Sequence, residues 1–216
     1  MRTRFISIVT AVFLSIALMG STAHAAQTWS KTPETTVQGV AYAIDAANAD
    51  LFEQLVDTRG VCAQIMDKFF DLAATPEGQA MLPPAINLIF ASMGGHVQAR
   101  STVGGMLANE TQSFVRYGVA SGKFAGNPNT QSVPPSGMLA NIFANASMGR
   151  KEIRNVGTTS YVDGRNAKVP FEVYDHGNGN TYPVIAQLQT QGNNWRVTGI
   201  ENLQDLLAQI SQEAAQ

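Results

Sequence analysis

His96 and His176 are the residues in this chain best suited to proton transfer, because an imidazole near its unperturbed pKa exchanges protons at neutral pH. His96 would act as a general base if a carboxylate such as Asp163 or Glu172 came within reach. As a residue beside the Gly94-Gly95 pair and a helix, it also reads as a surface or capping histidine. His176 follows Asp175 directly, but adjacent strand residues point to opposite faces, so the two do not form a dyad and read as a solvated hairpin tip. The string from Asp175 to Asn180 hints at a calcium loop, yet its later ligand positions fall on glycines and no bidentate acid follows. His96, His176 and the one cysteine give no zinc-ligand spacing. Gly-x-Ser-x-Gly, Ser-x-x-Lys and His-Glu-x-x-His do not occur, and the paired glycines lack the strand and Gly-Lys-Ser/Thr of a phosphate cradle. No metal or cofactor is expected, and His96 stands as the one catalytic candidate.

A second set of residues suits binding instead. Tyr161, Tyr174, Tyr182 and Trp195 combine apolar bodies with polar tips, a composition common in small-ligand sites. If several faced the helices they would line a cavity; the same residues serve equally as core packing. Cys62, the only cysteine, lies among Val61, Ile65, Met66 and Phe69 at helical spacing and reads as a buried structural thiol. The chain must therefore fold without an internal disulfide. Asn109-Glu110-Thr111 and Asn145-Ala146-Ser147 match the glycosylation triplet, a pattern short enough to arise by chance.

These groups must be positioned by two unlike halves. Residues 32–149 read as helical and residues 151–201 as strands with Gly/Asn turns, followed by a helix over 202–214. Helices first and a sheet after predict an α+β domain, with N-terminal helices packed on a C-terminal antiparallel four-stranded meander. Thr32-Pro33-Glu34 is a helix start, and Thr75-Pro76-Glu77 repeats its chemistry. Val61, Cys62, Ile65, Met66, Phe69, Phe70 and Ala73 give the strongest amphipathic signal. Ile86, Leu88, Ile89 and Phe90 are apolar nearly all round, which suits a central helix or a surface that meets a partner. Gly104-Gly105 predict a hinge between two helices or a loop. Residues 152–162, 167–174, 181–189 and 195–200 then alternate with a period of two and predict four strands. Leu203, Leu206, Leu207 and Ile210 line one side of the last helix.

The first residues set the address. Arg2 and Arg4 form a positive n-region, residues 5–19 carry no charge, and Ala23-His24-Ala25 supplies the small-x-small pattern before Ala26. The apolar run is shorter than the roughly 18 residues of a spanning helix. Cleavage after Ala25 is expected, leaving residues 26–216 as one α+β domain of about 190 residues in the periplasm or outside the cell. No cysteine stands at the cleavage point to be lipidated, so no membrane span or anchor is expected afterwards. The whole chain has 14 Lys and Arg against 16 Asp and Glu, for a net charge of −2. Losing Arg2 and Arg4 makes the mature form more acidic, which disfavours nucleic acid as a partner.

The block from Ala43 through Asp57, the block Leu72-Ala73-Ala74-Thr75-Pro76-Glu77-Gly78 and the late Asn194-Trp195-Arg196-Val197-Thr198-Gly199-Ile200 resemble an exported bacterial family of unknown function, the one numbered 2939 among such families. The resemblance implies a helix-break-helix, a capped turn and a final strand bearing a tryptophan, and it implies no activity. The layout also looks like the cone-shaped α+β fold of the nuclear transport factor type, in which helices close one side of a curved sheet. The residues favour a non-enzymatic binding or interaction module whose pocket, between helices and sheet, takes a small apolar or lipid-like ligand. The alternatives are a pocketed enzyme using a His/carboxylate pair for proton transfer, and an envelope protein that presents the helix near residues 85–93 or the last helix to a partner protein.

Overall fold

The computed structural model describes residues 29–81, 97–129, 133–140 and 149–214. The segment expected to be a signal peptide (residues 1–25), residues 85–93 and His96 lie outside these. The fold is α+β, helices followed by one antiparallel sheet and a closing helix.

Helix α1 (Pro33–Asp45) begins where the sequence places its cap. The Thr32 hydroxyl accepts from the Thr35 N–H at 3.2 Å and the Thr35 hydroxyl accepts from the Thr32 N–H at 3.0 Å, a reciprocal box that satisfies two otherwise orphaned donors. Val37, Val40, Ala41 and Ile44 bury one face. Ala47 then takes a left-handed conformation (φ 51°), and the Asn48 side chain accepts from the Leu51 N–H at 2.9 Å to open α2 (Ala49–Leu55). Asp57 accepts from the Gly60 N–H at 3.2 Å and opens α3 (Thr58–Ala73). Thr75 does the same for α4 (Pro76–Met81), accepting from the Gly78 N–H at 3.1 Å.

Helix α5 (Val97–Ala120) runs unbroken through Gly104-Gly105, where a hinge or loop was expected. Packing overrides the intrinsic cost of glycine: a Cβ on Gly104 would stand 2.9 Å from the Phe70 ring of α3, so the missing side chain lets the two helices close. The same helix holds the Asn109-Glu110-Thr111 triplet, whose Thr111 hydroxyl is buried and donates to the Leu107 carbonyl at 2.7 Å.

The sheet consists of β1 (Lys151–Arg154), β2 (Ser160–Tyr161), β3 (Asn166–Asp175), β4 (Thr181–Gln191) and β5 (Asn194–Ile200), in the order β1-β3-β4-β5 with β2 also on β3. The first strand, expected to be continuous over 152–162, is divided. Arg154 pairs with Glu172 and Ser160 with Lys168, so five residues on one side face three on the other. Pro170 stands in that gap and has no N–H to give the ladder; its carbonyl alone is used, accepting from the Gly157 N–H at 2.8 Å. Asn155, with φ 52°, turns the chain out.

Val169, Phe171 and Val173 of β3 and Tyr182, Val184, Ala186 and Leu188 of β4 face the helices and are buried. Helix α1 packs on β3 and β5, α3 on β5, and α6 (Leu203–Ala214) on β4 through Leu203, Leu206 and Leu207, while α5 packs behind α1, α2 and α3. The other face of the sheet carries Glu152, Arg154, Lys168, Glu172, Tyr174 and Gln187, as a half-solvated sheet should. The β5 edge is covered by the helical half: Val56 bridges Val197 in parallel, the Asp57 N–H reaches the Val197 carbonyl at 2.7 Å, and the Gln64 amide accepts from the Ile200 N–H at 3.0 Å.

Gly118 gives a test in which sign matters. Gly→Ala inside a helix ordinarily stabilises by about 1 kcal/mol, but a methyl here would overlap the Phe124 ring, which folds back onto the helix. Gly118→Ala is expected to lower the unfolding free energy by about 1–3 kcal/mol, the range for overpacking, measured as a fall in the urea midpoint. A rise would show that the ring moves aside freely.

Candidate functional site

Polar chemistry collects at the end of the sheet where β1 starts and β3 finishes. Lys151 is directly opposite Asp175, and both point toward the helices, where their ammonium and carboxylate form an ion pair with side chains only 1% and 4% exposed. Asp175 also accepts from the Gly177 N–H at 2.7 Å, which starts the turn after β3. Burial pushes the Lys151 pKa down while Asp175 opposes the shift. The Tyr182 ring, 1% exposed, is beside them on β4, and its hydroxyl accepts from the Asn178 amide at 2.7 Å.

The outer face of the same corner holds a second cluster. Glu152 accepts from Arg154 at 2.7 Å and lies 2.8 Å from His176 Nε2. Hydrogen bonding from Arg154 and then His176, with the charges of Arg154 and Arg150, holds Glu152 near a pKa of about 2. The Arg154 guanidinium lies over the Tyr174 ring at 4.0 Å, and the His176 ring meets Tyr174 edge-on at 4.7 Å. At the last position of α1, Asp45 has one carboxylate oxygen buried and without a partner. Desolvation raises its pKa to about 6, against the opposing charge of Arg150, with Glu152 pushing the same way as burial.

The aromatic candidates divide between the two ends. Tyr182 is in the core and Tyr174 on the outer face. Tyr161 and Trp195 come together at the opposite end, ring centroids 6.0 Å apart and edge-on. Directly opposed residues of an antiparallel pair share a face: Tyr161 opposes Ala167 and Trp195 opposes Thr190, so both lie on the helix-facing side. Trp195 is half-buried against the core, whereas Tyr161 is 61% and Val162 60% exposed. Lys31 donates to Asn194 at 3.1 Å beside Trp195, whose N–H reaches the Ser30 carbonyl at 2.7 Å.

His176 therefore finds a carboxylate, though it is Glu152 on the neighbouring strand and not the adjacent Asp175. Glu152 opposes Tyr174, two residues short of His176 and on the same face, so strand pairing was the signal that could have found it. Cys62 is fully buried, with its pKa pushed up by desolvation and by Asp57, which keeps the thiol protonated. Among the described residues no group of three His, Cys, Asp or Glu could hold a metal ion, and no helix is long and apolar enough to cross a membrane.

The class these features define is a helix-covered antiparallel sheet with a polar corner and an aromatic corner at opposite ends. No protein-family model, characterised protein or solved structure matches the chain.

Asp45 makes the polar corner pH-dependent. Its carboxyl ionises near 6 in the folded chain and near 3.8 when exposed, so the folded state binds the extra proton between those values. The ionised form costs stability fully above that window, and the cost is gone below it. Asp45→Asn is expected to raise the unfolding free energy by about 1 kcal/mol at pH 8, a figure reduced for solvent screening of a half-buried group. Urea unfolding along a pH series should show that advantage vanish toward pH 4. An advantage that is constant with pH would mean that Asp45 ionises normally.

Proposed function

We propose that the protein is an exported, non-enzymatic binding module, and that its ligand is a small apolar or lipid-like molecule received between the helices and the sheet at the Tyr161–Trp195 end. The observation that carries this reading is the exposure of Tyr161, edge-on to Trp195, on the helix-facing side of the sheet. Aromatic and aliphatic side chains grouped in the open have a solvation cost that a ligand relieves. Lys31, held at Asn194, offers a cation to a carboxylate headgroup. The expected layout of the nuclear transport factor type, with helices on one side of the sheet, and the resemblance to the exported family numbered 2939 fit this proposal.

Binding is tested with the mature chain and a long-chain fatty acid, followed by tryptophan emission and native mass spectrometry. Saturable quenching or a blue shift is expected, and Tyr161→Ala should weaken the apparent Kd by about tenfold, as loss of an aromatic anchor does. No spectral response and no bound mass, for the fatty acid and for the protein as purified, would remove the proposal.

A second reading, proton transfer by a His/carboxylate pair, is favoured by the 2.8 Å contact of His176 with Glu152. It moves the candidate base from His96 to His176. Any turnover found on a panel of simple ester and amide substrates should then disappear in His176→Gln; turnover that survives this change excludes the pair.

A further inference from the structure

Asn178-Gly179 is the only Asn-Gly dipeptide in the chain. In such a pair the following residue has no side chain to shield its backbone nitrogen from the asparagine amide. The Gly179 nitrogen, having lost its proton to hydroxide, can bond to Asn178 Cγ. The Cγ–Nδ2 bond then breaks, and the amide nitrogen takes a proton from water and leaves as ammonia. Water opens the resulting succinimide at either carbonyl, giving aspartate or isoaspartate at position 178. Only water and hydroxide are consumed, and no oxidant or reductant enters.

The β3–β4 hairpin commits each participant elsewhere. The Gly179 N–H donates to the Asp175 carbonyl at 2.7 Å. Asn178 Oδ1 accepts from the Asn180 N–H at 2.9 Å, and Asn178 Nδ2 donates to the Tyr182 hydroxyl at 2.7 Å. Gly179 itself is fixed at φ 77°, in the left-handed region that its lack of a side chain permits. Asn178 is exposed, so water reaches it without hindrance and geometry is what withholds the reaction.

We propose that Asn178 is a modification site, deamidated through Gly179 and held off by the folded hairpin until that hairpin opens. The two products differ in consequence. Aspartate keeps the backbone and the Tyr182 hydroxyl can turn to donate to it. Isoaspartate inserts an extra carbon into the main chain and is incompatible with both the Gly179-to-Asp175 bond and the 2.9 Å bond from the Asp175 N–H to the Asn180 carbonyl. Formation of isoaspartate would loosen the turn that carries His176 and Asp175.

The experiment incubates the mature chain, folded and in strong urea, at one alkaline pH and temperature, and follows the tryptic peptide containing residue 178 by mass spectrometry. Deamidation in the folded chain is expected to be slower by about tenfold or more, as for a reaction that proceeds only through local opening. Equal rates in the two states would overturn the proposal. Hydrogen exchange at the Gly179 amide supplies a second measurement: in low urea, below unfolding, deamidation should accelerate in proportion to exchange. Faster exchange with unchanged deamidation would overturn the gating.

Discussion

The Lys151–Asp175 ion pair is the contact around which the polar end of the sheet is assembled. Removing two charges from water costs several kcal/mol for each ion in a protein interior, a cost met here by direct contact and by the Gly177 N–H that Asp175 also accepts. The return is specificity. In β1 a slip of one residue would turn Glu152 and Arg154 inward and leave Asp175 without its cation. The pair also fixes its neighbours: the Lys151 N–H donates to the Phe124 carbonyl at 3.3 Å, which ties the loop after α5 to the sheet, and the His176 N–H donates to the Arg150 carbonyl at 2.9 Å. Loss of either charge would leave the other buried and uncompensated, and the strand, the hairpin and the loop would share the damage.

The sheet separates two kinds of chemistry by its length. At the Lys151–Asp175 end, charges are paired in layers, the buried pair inside and Glu152, Arg154 and His176 outside, with strand alternation keeping adjacent residues on opposite faces. At the far end the Tyr161 ring is left in water beside the half-buried Trp195. A retained carboxylate with an unpaired buried oxygen, as at Asp45, is a local cost of the kind proteins keep at working sites. The polar end is paired except at Asp45, whereas the aromatic end leaves Tyr161 exposed.

Most of the architecture was legible in local chemistry. Thr32-Pro33, Thr75-Pro76 and the stripe from Val61 to Ala73 predict helices because caps and period are short-range signals, and the structure has those helices. Two misreadings share a cause. Gly104 reads as a breaker by propensity and is a contact surface for Phe70; residues 152–162 read as one strand by alternation, and Pro170 on the partner strand divides them. In each case the deciding group is distant in sequence. The ion pair was half visible: extending the inward series Val169, Phe171, Val173 by one step reaches Asp175, a carboxylate where an apolar residue belongs. Its cation could be named only after strand pairing set Lys151 opposite. The aromatic set was legible as composition but not as geometry, since face and sheet end separate Tyr174 and Tyr182 from the Tyr161–Trp195 pair.

The covered β5 edge bears on the order in which the chain can be completed. Ser30, Val56, Asp57 and Gln64, all from the first third of the sequence, find their hydrogen-bond partners in residues 195–200. Arg196 closes the carbonyl end of α2, donating to Glu53 at 2.8 Å and to Val56 at 3.1 Å. During synthesis the helical half therefore emerges with these groups unmet, and no early intermediate can contain the native edge. The last strand acts as a clasp, so the helical half gains its native edge contacts only once nearly all of the chain is present.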